Sequence, residues 1–200
     1  RPTPIGVGQT TEGELGDRDP EQEDGGRYDA YVFRTAAGER LVVTLESEAF
    51  DSLVRVGRMN GPDFEELAQN DDAPGGGLHS RLVFVAPSAG EYVIRATALS
   101  EGEGAYVVGL EQAPPPPPSK PITIGDEIEG ALGEDSGQND DGQRADLYRF
   151  TGAAGQRVAV EMASDDFDTY LTLRRLSDNS ILAEDDDGLG QGTDSRLAHT

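Results

Sequence analysis

Asp29-Ala30-Tyr31-Val32-Phe33 places aromatic side chains at alternate positions, and the same pattern returns as Asp146-Leu147-Tyr148-Arg149-Phe150. The spacing of 117 residues between these segments holds without a gap over a longer alignment, of residues 7–56 with residues 124–173. Self-similarity at one fixed spacing indicates a repeated structural unit, so the chain contains two copies of one module. A function that a module can carry twice, such as binding, spacing or calcium handling, is favoured over a single composite active site.

The second copy is shorter than the first. After a deletion of two residues, Ser80-Arg81-Leu82 aligns with Ser195-Arg196-Leu197, and Thr200 is the equivalent of Val85. Copy one continues through residues 86–112, which hold two predicted strands without counterparts in copy two. Two interpretations stay open. Either the natural chain continues beyond Thr200, which is favoured, or the missing strands come from another molecule.

Apolar residues recur with a period of two along both copies, as expected for β-strands with one buried face. The alternating sets are Tyr31 and Phe33; Leu41, Val43 and Leu45; Leu82 and Phe84; Tyr92 and Ile94; and Val158, Val160 and Met162. The tyrosines predicted to be core or cross-strand residues are Tyr31, Tyr92, Tyr106, Tyr148 and Tyr170. Clusters of Gly, Asp, Asn and Pro predict turns between these segments. Roughly seven or eight short strands per copy predict an all-β fold of two tandem jelly-roll or Greek-key β-sandwich domains.

A proline run separates the two copies. Residues 113–121 read Ala-Pro-Pro-Pro-Pro-Pro-Ser-Lys-Pro, which favours an extended polyproline II conformation. Such a segment acts as a semi-rigid spacer. The sequence therefore predicts a first β-sandwich over residues 1–112, a proline-rich linker over residues 113–121, and a second β-sandwich over residues 122–200 that lacks its last two strands.

The chain is strongly acidic, because 39 Asp and Glu residues against 16 Lys and Arg residues give a formal net charge of −23. Such a surface repels nucleic acids and anionic lipids, so the sequence predicts no nucleic-acid partner. No apolar run approaches the roughly 20 residues that span a bilayer, which predicts no membrane insertion. The absence of cysteine excludes a disulfide scaffold and thiolate metal sites.

Several motifs of copy one follow one another in a specific order. They are Asp29-x-Tyr31-x-Phe33, Phe50-Asp51-Ser52-Leu53, Asn70-Asp71-Asp72 through Ser80-Arg81-Leu82, and Gly90-Glu91-Tyr92-Val93-Ile94-Arg95. This order resembles the bacterial pre-peptidase C-terminal domain. The resemblance implies a jelly-roll-like β-sandwich attached to secreted or cell-surface bacterial proteins, often hydrolases, and related collagenase modules bind collagen and calcium. No peptidase catalytic domain accompanies the motifs, so no protease activity is carried over.

An acidic loop in each copy is the candidate metal site. Calcium takes about six to eight oxygen ligands on a flexible backbone, and clustered Asp and Gly supply both features, although these consecutive acids do not match an EF-hand. The candidate ligands are Asp185, Asp186, Asp187, Asp194 and Asp168 in copy two, and Asn70, Asp71, Asp72 and Asp51 in copy one. Copy two is expected to bind calcium better, because copy one lacks an equivalent of Asp194. The alternative is a solvated turn without metal, in which Asp51 and Asp168 accept backbone N–H bonds.

The sequence shows no arrangement that supports nucleophilic catalysis. The two histidines, His79 and His199, are not equivalent in the two copies, and no Gly-x-Ser-x-Gly turn occurs. The sequence therefore predicts no enzyme, but an extracellular accessory module that acts as a spacer and binds a protein or polysaccharide ligand, with calcium as a candidate stabiliser. One alternative is a structural subunit of an extracellular filament or surface layer, assembled through sheet edges by strand exchange or calcium. A weaker alternative is an unrecognised hydrolase.

Overall fold

The structure, a computed structural model, describes residues 1–22, 25–74, 77–139, 142–176, 180–188 and 192–200. Every regular element in these residues is a strand, so the predicted all-β fold class is confirmed. The chain divides into two compact units. Unit 1 comprises Arg1–Pro118 and Ala131–Leu147, and unit 2 comprises Ser119–Gly130 and Tyr148–Thr200. The predicted tandem arrangement, its linker and its domain boundaries stay predictions.

The first nine strands of the chain all lie in unit 1 and form two sheets. They are β1 (Thr3–Pro4), β2 (Gln9–Leu15), β3 (Tyr28–Thr35), β4 (Arg40–Glu46), β5 (Ser52–Asn60), β6 (Asp63–Asn70), β7 (Ser80–Val85), β8 (Gly90–Ala98) and β9 (Gly104–Gln112). One sheet has the order β1-β3-β8-β5-β6 and the other has the order β2-β9-β4-β7. Among the described pairings of these nine strands, only that of β1 with β3 is parallel. The last two strands, β8 and β9, therefore have neighbours on both sides.

The core of unit 1 lies between these two sheets. Leu41, Val43 and Leu45 of β4 are completely buried, as the sequence predicts, and Val42 on the opposite face of the strand is also buried. Tyr31 and Phe33 of β3 belong to the same core cluster from the other sheet. Each fully buried aliphatic side chain contributes about 1.5–3 kcal/mol to stability, so the two inner faces hold the sandwich together.

Tyr92 on β8 is the largest completely buried side chain. Its ring stacks on Phe33 with 5.7 Å between the centroids and meets the Phe84 ring edge-on at 5.1 Å. The Arg58 guanidinium carbon lies 4.3 Å from the Tyr92 ring centroid. The Tyr92 hydroxyl donates to the Ser88 carbonyl at 2.6 Å. Tyr92 therefore joins both sheets and fixes the turn that precedes its own strand.

The remaining strands have two to five residues each. They are β10 (Lys120–Pro121), β11 (Gly137–Gln138), β12 (Arg144–Ala145), β13 (Tyr148–Arg149), β14 (Val158–Met162), β15 (Leu171–Arg174), β16 (Ile181–Asp185) and β17 (Ser195–His199). β11 pairs with β12 within unit 1. In the described part of unit 2, the pairs are β10 with β13, β14 with β17, and β15 with β16. No helix in the described residues is long and apolar enough to cross a membrane.

The predicted core or cross-strand roles of the tyrosines are confirmed in unit 1 and only partly confirmed in unit 2. Tyr31, Tyr92 and Tyr106 are buried core residues, as predicted. Tyr148 is a cross-strand neighbour of Lys120, whose Nζ lies 5.5 Å from the Tyr148 ring centroid, so one of its two predicted roles is confirmed. The prediction for Tyr170 is wrong, because this residue precedes β15 and is 51% exposed. In unit 1 the strands β8 and β9 help to cover the corresponding part of the core, and the described part of unit 2 has no such strands.

Candidate functional site

Asn70 and Asp185, the predicted calcium ligands at the ends of β6 and β16, form hydrogen bonds with the backbone of the loops that follow them. Asp185 Oδ1 accepts hydrogen bonds from the backbone N–H groups of Gly188 at 2.5 Å and Arg196 at 2.9 Å. In unit 1 the Asn70 amide donates to the carbonyls of Asp72 at 2.9 Å and Arg81 at 2.7 Å. These side chains therefore close the loops that lead into β17 and β7.

The other predicted ligands either make separate local hydrogen bonds or are at least partly exposed to solvent. Asp194 Oδ1 accepts a hydrogen bond from the Ser164 N–H at 3.1 Å, and the Asp51 carbonyl accepts one from the Leu99 N–H at 2.8 Å. The carboxylates exposed to solvent are those of Asp72, Asp168, Asp186 and Asp187, whereas Asp71 is half-buried. Parts of both acidic loops, residues 75–76 and 189–191, lie outside the described residues. Within the described residues, no group of three or more His, Asp or Glu side chains is arranged to hold a metal, and calcium binding stays a prediction.

A pair of buried hydroxyls links two of the repeated motifs in each unit. Ser52 Oγ and Ser80 Oγ share a hydrogen bond of 2.6 Å, and Ser52 Oγ donates to the Leu45 carbonyl at 3.0 Å. In unit 2, Thr169 Oγ1 and Ser195 Oγ share a hydrogen bond of 2.5 Å. Because buried hydroxyls need partners, these pairs explain why Ser or Thr recurs after Phe-Asp and why Ser precedes Arg-Leu. Their role is structural.

A second polar group, which the sequence did not predict, crosses the core of unit 1. The Tyr106 hydroxyl on β9 donates to Asp29 Oδ2 on β3 at 2.6 Å and shares a 2.7 Å hydrogen bond with the Tyr31 hydroxyl. Burial raises the pKa of Asp29, although the hydrogen bond from Tyr106 opposes this shift. Burial also raises the pKa of Tyr106, and the hydrogen bonds with Asp29 and Tyr31 add to that increase. Asp29 and Tyr31 of the Asp-x-Tyr-x-Phe motif therefore share one partner in the opposite sheet.

The raised pKa of Asp29 predicts a specific pH dependence of stability. The folded state favours the neutral carboxyl, so its contribution is fully present below the ordinary value of 3.8 and is lost as pH rises through the folded pKa. We expect the unfolding free energy of the native chain to fall relative to that of Asp29→Asn over this range and then to level off. Urea unfolding at a series of acid to neutral pH values measures the difference.

Tyr106→Phe is the companion variant for this measurement. It removes the hydrogen bond that lowers the Asp29 pKa, so the decline should extend to higher pH than in the native chain. A difference between the native chain and Asp29→Asn that grows with pH would contradict the prediction, because it would mean that folding favours the carboxylate.

An open acidic cleft of about 690 Å³ lies on unit 1. It is lined by Glu12 and Glu14 of β2, Glu46 of β4, the loop residues Ser47, Glu48 and His79, and Gly13, Ala105, Tyr106 and Val107. The sheet register places Val107 of β9 between Glu12 and Glu46. Neighbouring strands are about 4.8 Å apart, so about 10 Å separates the backbones of the two glutamates.

The glutamate carboxylates at the centre of this cleft have no basic partner in the described residues. No Arg or Lys of the described chain pairs with Glu12, Glu14 or Glu46. At the rim, His79 Nε2 lies 3.8 Å from Glu48 Oε1, and His79 Nδ1 accepts the Ser47 N–H at 3.2 Å. Like charges on one sheet face repel each other, so this surface favours a positively charged occupant.

Known structures similar to this chain match about half of its length. The pre-peptidase C-terminal domain of a collagenase from Bacillus anthracis is 19% identical, with 56% of this chain and 95% of that chain covered and a TM-score of 0.42. PliG of Aeromonas hydrophila, a periplasmic inhibitor of g-type lysozyme, is 15% identical, with coverages of 55% and 95% and a TM-score of 0.37. PliG of Salmonella Typhimurium is 14% identical, with coverages of 56% and 97% and a TM-score of 0.37. No family model and no curated protein matches the chain.

Proposed function

We propose that this chain is a non-catalytic, extracellular binding module whose unit 1 recognises a basic polypeptide segment in the acidic cleft. The observation that carries the proposal is the row of Glu12, Val107 and Glu46 on three adjacent strands, in which two unpaired carboxylates flank an exposed aliphatic side chain. The extracellular location is part of the proposal, because the resemblance to pre-peptidase C-terminal domains implies it.

The small number of carboxylates in the row favours a polypeptide over a single metal ion. Calcium takes about six to eight oxygen ligands, whereas no group of three or more His, Asp or Glu side chains in the described residues is arranged to hold a metal. Arg and Lys side chains along an extended segment can reach both carboxylates, and their apolar stems can cover Val107. The formal charge of −23 on the whole chain adds long-range attraction for such a ligand.

The polar groups of Ser47 and His79 at the rim of the cleft form hydrogen bonds with backbone groups. Ser47 Oγ donates to the Ala105 carbonyl at 2.9 Å, and the Ser47 N–H donates to His79 Nδ1. A serine nucleophile requires its hydroxyl, and not its amide, to be hydrogen-bonded to the histidine. This arrangement therefore gives no support to the hydrolase alternative.

Binding of a labelled peptide of alternating Arg and Val residues tests the proposal by fluorescence anisotropy. The double variant Glu12→Gln/Glu46→Gln should weaken binding about threefold or more, because each ion pair at an exposed carboxylate is worth about 0.2–1 kcal/mol and 1.4 kcal/mol is tenfold. Glu127→Gln/Glu129→Gln changes the net charge equally at exposed positions outside the cleft and should have less than about a twofold effect.

Two results would contradict the proposed site. Equal weakening by both double variants would mean that the peptide responds to net charge alone. Unchanged binding in Glu12→Gln/Glu46→Gln would mean that the peptide binds elsewhere.

A further inference from the structure

A histidine stands at the end of the row of carboxylates that crosses the acidic cleft. In the antiparallel pairing of β4 with β7, Leu45 is opposite Ser80, and continuing this register by one residue places Glu46 opposite His79. Both side chains line the cleft. Among the residue types in this lining, histidine is the one that ordinarily changes its charge between about pH 5 and 8.

A backbone hydrogen bond requires the neutral form of the His79 ring. Its Nδ1 atom accepts the N–H of Ser47 at 3.2 Å, so the neutral ring carries its proton on Nε2. A ring nitrogen that binds a proton has no lone pair left for the Ser47 N–H. Protonation of His79 therefore breaks this hydrogen bond and leaves a donor without its acceptor in a residue that is only 3% exposed.

Ser47 also organises the turn that follows β4. Its hydroxyl donates to the Ala105 carbonyl of β9 at 2.9 Å and accepts the N–H groups of Ala49 at 3.1 Å and Phe50 at 3.3 Å. Glu48 lies within this turn and lines the cleft. A change at the Ser47 N–H is therefore passed to one wall of the cleft.

The charged groups around His79 are mostly carboxylates. The titratable residues that line the cleft with it are Glu12 and Glu14 of β2, Glu46 of β4, Glu48 of the next turn and Tyr106 of β9. Arg81 of β7 is opposite Thr44, so it lies in the next row of the same sheet face. Glu48 Oε1 is 3.8 Å from His79 Nε2, and the His79 side chain is 37% exposed, so a charged ring can turn towards Glu48.

We propose that His79 is a pH-sensitive switch of the acidic cleft, an inference that rests on the proposed binding of a basic segment there. The neutral ring holds Ser47 and leaves the carboxylates of the cleft to the ligand. The protonated ring releases Ser47 and adds a positive charge beside Glu46 and Glu48. The cleft then attracts a basic segment less strongly, because the imidazolium competes with the cations of the ligand for the same carboxylates.

The alternating Arg and Val peptide, with both ends blocked, tests this regulation by fluorescence anisotropy at about pH 7.5 and about pH 5.5. Arg keeps its charge over this range, so the ligand does not titrate. We expect the native chain to bind about threefold more weakly at the lower pH. His79→Gln offers an amide oxygen to the Ser47 N–H but takes up no proton, so its affinity should change by less than about 1.5-fold. His199→Gln, which alters the other histidine, should keep the full change.

A second measurement needs no peptide. NMR follows the imidazole resonances of His79 and the hydrogen exchange of the Ser47 amide, relative to its intrinsic rate, over the same pH range. We expect the protection of the Ser47 amide to fall about tenfold as His79 becomes protonated and to stay constant in His79→Gln. The amide of Val43, in the buried part of β4, is the internal control and should keep its protection in both chains.

The possible outcomes separate this inference from the proposed function. Absence of peptide binding at both pH values would contradict the proposed function, and the Ser47 amide would then decide alone whether protonation of His79 opens the turn. Binding by the native chain that does not weaken at the lower pH, or that weakens equally in His79→Gln, would leave the binding site in place and overturn its regulation by His79. Protection of Ser47 that does not respond to protonation of His79 would overturn the switch itself.

Discussion

Tyr92→Ala is expected to lower the free energy of unfolding of unit 1 by about 3–5 kcal/mol, the range for removing a buried aromatic side chain. The substitution removes the ring between Phe33 and Phe84 and the platform beneath Arg58. It also removes the hydroxyl that holds the Ser88 carbonyl. The space left is enclosed by both sheets, so its walls can relax only in part.

Urea unfolding followed by far-ultraviolet circular dichroism measures this loss, with hydrogen exchange in β8 to assign the transition to unit 1. Tyr92→Phe keeps the ring and should cost about 1 kcal/mol through the hydroxyl alone. Leu99→Ala, at a position 48% exposed, should change stability by less than about 0.5 kcal/mol. A loss for Tyr92→Ala no larger than that for Tyr92→Phe would show that the ring contributes little.

Gly13→Ala is expected to destabilise unit 1 by about 3 kcal/mol, because overpacking costs about 1–3 kcal/mol and a broken buried hydrogen bond costs a similar amount. A Cβ atom at Gly13 would overlap the hydroxyl end of the Tyr106 ring. The ring would have to move, and it would then lose its hydrogen bonds to Asp29 and Tyr31. This is a large effect for the addition of one methyl group.

A double-mutant cycle with Tyr106→Ala tests the cause. If the methyl group acts through the Tyr106 ring, Gly13→Ala should cost much less once the ring is absent, and the two effects should not add. Gly16→Ala is the matched control, since a Cβ atom there has no neighbour within 4 Å. Additive effects of Gly13→Ala and Tyr106→Ala would contradict the explanation.

The alternation of apolar residues predicted which strand faces are buried, but it could not predict how completely. Leu41, Val43 and Leu45 are completely buried, whereas Val158 and Val160 at the corresponding positions of unit 2 are only half-buried. A strand's own sequence determines its two faces, and its neighbours determine how much of a face is covered. The two copies therefore have similar sequence patterns and different cores.

The cleft could not be predicted because its residues meet through strand register. Glu12 and Glu46 are distant in sequence, and only their pairing with Val107 of β9 places them in one row. The acidic loops, by contrast, are predictable as candidate metal sites, because their Asp residues are consecutive in the sequence. The loop-closing role of Asn70 and Asp185 follows from the tendency of such side chains to bond nearby backbone, which argues for the turn interpretation at those two positions.

The central position of β8 and β9 also has a consequence for how unit 1 folds. Gln9 of β2 pairs with Leu110 of β9, so one sheet closes only when residues about a hundred positions apart meet. Contacts of such long range slow folding. During synthesis, β1 to β7 are completed before either central strand exists, and their apolar faces stay open until residue 112 has been added. Unit 1 is therefore expected to fold late, slowly and in one step, with aggregation as the main competing reaction.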